Sequence, residues 1–139
     1  MLIFQLKAWE RFWARKDNKI IRQYLKTVKD KSQEIFTKGM KGPHSGRIYR
    51  RKGGRTHQAS APGEYPANDS GKLLASMKGR VTSTETTIGT DEYYAKWLRT
   101  GTKDGKLKRR KMSDSALKEG RQASQGKLKG FVSWSKKRQ

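Results

Sequence analysis

Apolar side chains recur at helical spacing through the first quarter of the chain. Between residues 2 and 38 they follow one another at steps of three, four or seven, and no Gly or Pro interrupts them before Gly39. One apolar stripe at this period is typical of an amphipathic helix. We therefore predict a long helix over residues 2–38 that stops at Gly39, just ahead of Gly42-Pro43. The stripe consists of Leu2, Leu6, Trp9, Trp13, Ile20, Tyr24, Val28 and Ile35.

The predicted helix is too long for a small core to cover along its whole length. Over residues 2–38 it exceeds about 50 Å at 1.5 Å per residue. One end therefore either packs on another subunit, which we favour, or folds back so that Trp9 and Trp13 reach their own domain. The polar stretch at residues 15–18 also allows a break between two helices, with Asn18 capping the second.

A glycine-rich basic segment follows the helix. Residues 39–58 contain no acidic side chain, and turn-forming sequences at residues 42–46 and 52–55 flank a weakly alternating run at residues 47–51. We expect either a β-arm or loop used in assembly, which we favour, or a flexible solvated loop. Tyr49 lies among arginines and has the chemistry to stack on a base or against a guanidinium.

An extended loop opens the middle third of the chain. Pro62 and Pro66 exclude helix around them, and Gly63 permits a tight turn. Glu64 is a carboxylate in a very basic chain, so we expect it to pair with a neighbouring Arg or Lys. The loop at residues 60–68 is then either an ordered surface loop or one that meets an adjacent subunit.

A short helix is expected directly after this loop. Its region is residues 69–77, and Asp69 or Ser70 is the candidate N-cap because either side chain accepts a hydrogen bond from an orphan backbone N–H. The side chains expected to face the core are Leu73, Leu74 and Met77.

Two strands and a second short helix complete the middle third. Runs at residues 78–83 and 86–90, rich in Thr and Ser, predict the strands and the turn between them. Asp91 is expected to cap the helix that follows, and Gly101 to end it as a left-handed C-cap. Val81 and Ile88 mark the two strands. Tyr94, Ala95 and Leu98 recur at helical spacing, with Trp97 on a neighbouring face, and we expect Tyr94 and Leu98 in the core.

The C-terminal third is again basic. Residues 103–111 hold six basic side chains and one acidic one, which predicts either a solvated loop or a surface for DNA or an acidic ring. The last apolar residues indicate a final strand or short helix docked on the core: Leu128, Phe131, Val132 and Trp134.

These elements together predict an α+β fold. A long N-terminal helix packs on a small antiparallel sheet, with two further short helices and extended basic loops. The 139 residues fit a single domain. We divide it into a helical arm (1–38), a basic loop or β-arm (39–59), an α+β core (60–132) and a basic tail (133–139).

Four motifs in the middle third follow one another in a characteristic order. They are Ala-Pro-Gly-Glu-x-Pro-Ala at 61–67, Ser-Gly-x-Leu-x-x-Ser-Met at 70–77, Ile-Gly-Thr at 88–90 and Tyr-Ala-x-x-Leu-x-x-Gly-Thr at 94–102. In this order and spacing they resemble the HK97 gp10-like family of tailed-phage neck and tail-completion proteins. Beyond residue 102 the resemblance implies a helix over residues 110–120, which Ser113 or Asp114 could cap. The chain departs from the family there, because Arg110-Lys111-Met112 lacks the proline of the Arg-Pro-Phe or Arg-Pro-Met motif.

The resemblance implies a structural virion protein that joins the head connector to the tail. It implies a homo-oligomeric ring, with a hexamer favoured, assembled in the host cytoplasm. It also implies contact with a head-closure or adaptor ring and with tail terminator or tube proteins. The positions that carry the resemblance, with the expected interface loop, are Ser60, Pro62, Gly63, Glu64, Pro66, Gly71, Leu73, Gly89, Tyr94, Ala95, Gly101 and Thr102.

The net charge of +22 is the strongest feature of the composition. Self-repulsion at that density opposes folding unless an anionic partner compensates it. The charge thus implies acidic protein surfaces, nucleic acid (including DNA in the channel of a neck) or a membrane surface, although no run of about 18 apolar residues indicates a span. The candidates for basic contacts are Arg47, Arg50, Arg51, Arg55, Lys106, Lys108, Arg109, Arg110 and Lys111.

Little in the sequence indicates catalysis. The chain has no Cys and two His, which argues against zinc and thiol chemistry, and we expect no enzyme and no cofactor. Glu64 with Asp69, or Asp91 with Glu92, is a weak candidate pair for Mg²⁺, because such sites need more converging ligands. The alternative function is a basic nucleic-acid-binding protein, either ribosome-associated or involved in DNA packaging.

Overall fold

The computed structural model describes residues 18–136 except residue 84, and the side chains of residues 19–126 within that range. Several predictions made from the sequence therefore lie outside the described residues. They are the helix before residue 18, with its polar break, the Asn18 cap and the placement of the Trp9 and Trp13 end. The contacts of the apolar side chains at residues 128–134 and the tail at residues 137–139 lie outside as well.

The predicted long helix is confirmed where the structure describes it. Helix α1 spans Asn18–Lys41 and buries Leu25, Val28 and Phe36 along one face. The prediction that it stops at Gly39 is wrong, because the helix continues for one half-turn and ends before Gly42. Gly39 instead allows the Tyr65 ring to lie against the helix: a Cβ at Gly39 would lie 2.9 Å from Tyr65 Cβ and closer still to the ring.

A small antiparallel sheet packs against α1. Strand β3 (Lys78–Val81) pairs with β4 (Thr86–Gly89), with Lys78 opposite Gly89 and Val81 opposite Thr86. Both strands contact α1, and Ile88 of β4 is fully buried. The short helices predicted on either side of this pair are also present, as α2 (Lys72–Ser76) and α3 (Ala95–Thr100).

The last helix is longer than predicted. Helix α4 spans Ser113–Lys136 without interruption, so the separate final strand or short helix is wrong. The helix passes through Gly120, which lies against Ser32 of α1. A Cβ at Gly120 would lie 2.9 Å from the Cα and backbone N of Ser32, so only glycine fits at this crossing.

The basic segment after α1 forms a β-hairpin. Strand β1 (Ile48–Arg50) pairs antiparallel with β2 (Thr56–Gln58), with Tyr49 opposite His57. Gly53 and Gly54 have φ of +89° and +76°, a region that glycine occupies without strain, and they make the turn. The predicted β-arm is therefore confirmed as a hairpin.

Asp69 and Asp91 are wrong as N-caps, whereas Ser70, the alternative to Asp69, accepts a long hydrogen bond from Lys72 N at 3.5 Å. The N-cap position of α2 is Gly71, with φ +78° and no side-chain cap, while Asp69 binds Arg51 of the hairpin instead. Asp91 likewise accepts a hydrogen bond from Lys78 Nζ at 2.6 Å. Both carboxylates therefore pair with a cationic side chain rather than with an orphan backbone N–H group.

One apolar core joins α1, the β3–β4 pair and α4, which confirms the α+β fold with its long helix on a small antiparallel sheet. The partly buried Leu74, Met77, Tyr94 and Leu98 pack against this core, as the sequence predicted. Its buried members are Val28, Phe36, Met40, Tyr65, Leu73, Ile88, Ala95, Met112, Ala116 and Leu117.

Candidate assembly surface

The proline loop (residues 60–68) lies beside the segment that leads into α4. Gly63 N donates to Arg109 O at 3.1 Å, and Lys111 N donates to Glu64 O at 2.9 Å. Gly63 has φ +83°, so the loop turns where glycine is favoured. The loop is therefore an ordered part of the protein, and its outer edge at Gly63 is exposed.

Glu64 holds this loop to the end of α1. Its carboxylate accepts hydrogen bonds from Ser45 Oγ at 2.5 Å, Ala61 N at 2.8 Å and Ser45 N at 3.2 Å. These donors, led by the Ser45 hydroxyl, lower the pKa of Glu64 from 4.5 to about 2. The expected pairing with Arg or Lys is wrong; the nearest cationic candidate is His44, whose Nδ1 lies 3.6 Å away.

Tyr65 anchors the loop in the core. Its ring packs edge-on against Phe36, with centroids 5.6 Å apart, and Lys111 Nζ lies 5.6 Å from its centroid. Burial, together with the nearby Glu119 carboxylate, raises the pKa of Tyr65. A cleft of about 320 Å³ opens beside the ring, lined by Lys38, Gly39, Gly42, Pro43, His44, Gly63, Glu64, Tyr65 and Lys111.

Arg110 supports the proline loop from inside. Its Nε donates to Ser60 Oγ at 2.9 Å, its Nη2 donates to Ser60 O at 2.9 Å and its Nη1 donates to Lys108 O at 2.7 Å. Arg110 was a candidate for external contacts, but its guanidinium is engaged within the molecule and the side chain is half-buried. It is better described as a residue that positions the loop.

The other basic residues before α4 lie at the surface. Lys108 is exposed. Three others form ion pairs. Exposed ion pairs contribute little to folding stability, so these cations can exchange their carboxylate for a partner's anionic group at low cost. The pairs are Arg109 with Asp114 (3.2 Å), Lys111 with Glu119 (3.1 Å) and Lys106 with Asp104 (3.5 Å).

The hairpin presents a second group of cations. Arg51 is tied to Asp69, and the Arg47 guanidinium lies 5.5 Å from the Tyr49 ring centroid. The latter contact confirms one of the two expectations for Tyr49, that it lies against a guanidinium. Arg50 and Arg55 are exposed.

The Gly-Thr pair at the end of α3 forms a tight turn. Gly101 N donates to Trp97 O at 2.7 Å, and Thr102 N donates to Leu107 O at 2.9 Å. Gly101 ends α3 as predicted, but its backbone does not have the predicted left-handed helical conformation. Gly101 has φ +78° but ψ 173°, a region that is essentially restricted to glycine.

The remaining positions of the resemblance lie around the core. Pro66, Leu73 and Ala95 are buried, while Gly89 ends β4 opposite Lys78. The four motifs thus form one contiguous unit. Each motif supplies one residue to the shared core (Tyr65, Leu73, Ile88 and Ala95). Residues 109–111, which follow the fourth motif, bridge the first and fourth motifs: they bond to Gly63 and Glu64, and Arg110 N donates to Leu98 O at 2.7 Å.

An exposed aromatic cluster was not foreseen as a surface feature. The Tyr93 ring contacts Tyr94 and Trp97 edge to face, with its centroid 5.6 Å from that of Tyr94 and 5.7 Å from that of Trp97. Tyr93 is 77% exposed and Trp97 45% exposed. The signal was present in the sequence, since helical spacing places Tyr94 and Leu98 on one face and leaves Tyr93 and Trp97 outside it.

Comparison of the chain with family models, curated proteins and solved structures gives no match. Within the described side chains, no group of three or more His, Asp or Glu is placed to hold a metal ion. Glu64, Asp69 and Asp91 are each bonded to protein groups. No helix within residues 18–136 combines the length and apolar character that a membrane crossing requires.

Proposed function

We propose that this chain is a structural virion protein of a tailed bacteriophage. It forms a neck ring, with a hexamer favoured, that joins the head connector to the tail. The observation that carries the proposal is the contiguous unit made by the four motifs, which share one core and whose first and fourth members are bridged by residues 109–111. Motifs that resemble one family in sequence order thus also lie together in space.

The exposed aromatic cluster supports assembly with other copies. Tyr and Trp are enriched at the centres of protein interfaces, where they supply large apolar area at low entropic cost. A ring interface is heterologous, so this surface would meet a different surface on the next subunit and close by rotation. Tyr93 is the best candidate for the central contact because it is the more exposed of the two outward aromatic residues.

The proposed mechanism is geometric and involves no catalysis. One face of the ring meets the head-closure or adaptor ring, and the other meets the tail terminator or tube. The basic surface raises the rate at which acidic neighbouring rings associate and fixes their register. The protein would then be assembled in the host cytoplasm and reside at the head–tail interface of the virion.

Substitution of Tyr93 tests the interface. We expect Tyr93→Ser to lower the association constant of the ring by roughly 30-fold or more, as for an interface hot spot of about 2 kcal/mol. Tyr49→Ser is the matched control, because it removes a half-exposed tyrosine on the hairpin. Light scattering of the full chain at moderate and high salt gives the assembly state. Equal effects of the two substitutions would contradict the assignment of the interface.

Deletion of the gene tests the function in infected cells. This test also applies if the isolated protein is a monomer and the ring forms only when its partner proteins are present. The expected result is a lysate with DNA-filled heads and finished tails that remain separate, seen by electron microscopy. Complete infectious virions after deletion would overturn the proposal. The alternative, a nucleic-acid-binding protein, is favoured by the exposed basic hairpin and predicts a monomer that releases DNA as salt rises.

A further inference from the structure

The β1–β2 hairpin projects as an exposed ribbon. Every residue of the two strands is exposed except His57, which is half-buried. An isolated two-stranded hairpin is marginally stable in water. Asp69 holds this one to the protein through Arg51, with His57 Nδ1 3.9 Å from the same carboxylate. The rest of the ribbon is therefore free to meet a partner.

The charge of the ribbon is entirely of one sign. Residues 47–58 contain five Arg or Lys and no acidic residue. At its tip Arg51 N donates to Arg55 O at 2.8 Å, which places two arginines opposite each other across the turn, just beyond the ends of the strands. Like charges in that arrangement are destabilising. The Asp69 carboxylate offsets only part of this repulsion, so a polyanion that covers the ribbon would relieve it.

The composition of the ribbon favours nucleic acid over an acidic protein surface. Protein interfaces have a core depleted of charge, and the ribbon offers only Ile48 (62% exposed) and Tyr49 (48% exposed) for such a core. Duplex DNA presents closely spaced phosphates along its whole length. Its major groove also admits a two-stranded β-ribbon.

We infer that the hairpin of residues 47–58 is a binding site for double-stranded DNA. Arg50, Lys52 and Arg55 contact phosphates, since all three are exposed and none has an ion pair among the described residues. Binding is independent of base sequence. DNA binding by the hairpin is compatible both with a neck subunit that has DNA in its channel and with a packaging protein. Its test is therefore independent of whether the chain forms the proposed ring.

The test compares two variants that each lose three positive charges. The hairpin variant carries Arg50→Gln, Lys52→Gln and Arg55→Gln. The control carries Lys72→Gln, Lys103→Gln and Lys118→Gln, three exposed lysines spread over separate segments. Fluorescence anisotropy with a short random-sequence DNA duplex, over a salt titration, gives the slope of log affinity against log salt for the full chain and for both variants.

We expect the slope of the hairpin variant to fall by about 2 to 3, because each phosphate contact contributes about 0.9. The control should keep a slope close to that of the native protein. Equal changes in the two variants would show that only net charge matters and would overturn the inference. The same titration with polyglutamate in place of DNA tests an acidic polypeptide as the partner. A hairpin variant that keeps the native slope on DNA but no longer binds polyglutamate would also overturn the inference. Circular dichroism verifies that both variants are folded.

Discussion

Glu64 shows how single residues hold the candidate site together. Its carboxylate joins the chain after α1 to the proline loop through Ser45 and Ala61. The same role is played on the other side by Arg110, which binds both the hydroxyl and the carbonyl of Ser60. The loop is thus fixed by charge-assisted hydrogen bonds, which are stronger than neutral ones.

We predict that the stability contributed by Glu64 depends on pH. The folded-state pKa of about 2 lies below the ordinary 4.5, so the contribution is complete above 4.5 and is lost as pH falls from 4.5 towards 2. Glu64→Gln should therefore lower the melting temperature near neutral pH, and the difference from the native protein should shrink as the pH falls. Thermal unfolding over this pH range measures it. A difference that stays constant with pH would contradict the assignment.

At the scale of elements, the fold depends on how closely α1 and α4 approach each other. Small residues line the crossing, where Ser32, Ala116, Gly120 and Ser124 are all buried. The two hydroxyls are satisfied within their own helices: Ser32 donates to Val28 O and Ser124 donates to Gly120 O, each at 2.7 Å. The crossing therefore brings no unpaired polar side chain into the core.

We predict opposite effects for the same substitution at two positions of α4. Gly120→Ala should destabilise the protein by about 1–3 kcal/mol, since the new methyl group meets the Ser32 backbone. Gly126→Ala should stabilise it by about 0.5–1 kcal/mol, because nothing lies within 4 Å of its Cβ position and alanine favours helix. Chemical denaturation gives both values. Equal shifts would show that α1 and α4 do not cross at Gly120.

At the scale of the whole molecule, the net charge of +22 governs the electrostatics. Ion pairs offset little of it, because most of those in the described residues are exposed. The free protein therefore carries unscreened repulsion that an acidic or phosphate-bearing partner removes. Both proposals, the neck ring and the hairpin site, depend on this excess of positive charge.

We predict that salt stabilises the protein. Screening shortens the range of repulsion from about 30 Å at 0.01 M to about 10 Å at 0.1 M salt, so the melting temperature should rise with ionic strength. The hairpin triple variant should show a smaller rise, because part of the repulsion is already gone. Thermal unfolding in sodium chloride tests this. A melting temperature that falls with salt would mean that attractive pairs dominate.

The sequence by itself determined the elements and their type. Apolar periodicity predicted α1 from residue 18 onward, and runs of β-branched residues predicted the β3–β4 pair. The hairpin was one of two alternatives that the turn-forming sequences left open, because its strands are exposed and bury no apolar pattern. The sequence predicted the ends of the helices less well, because glycines that look like stop signals lie inside two of them. Gly39 and Gly120 are glycines inside helices because of what packs on them, and a sequence does not show the partner side chain.

Only the tertiary structure decided how surface groups are used. Asp69, Asp91 and Glu64 were each assigned a local or generic partner, but each binds a group brought near by the fold. The exposure of Tyr93 and the internal role of Arg110 arise in the same way. Hydrogen bonds and burial between segments distant in sequence depend on which segments the fold brings into contact. The spacing of residues within one segment does not encode those contacts.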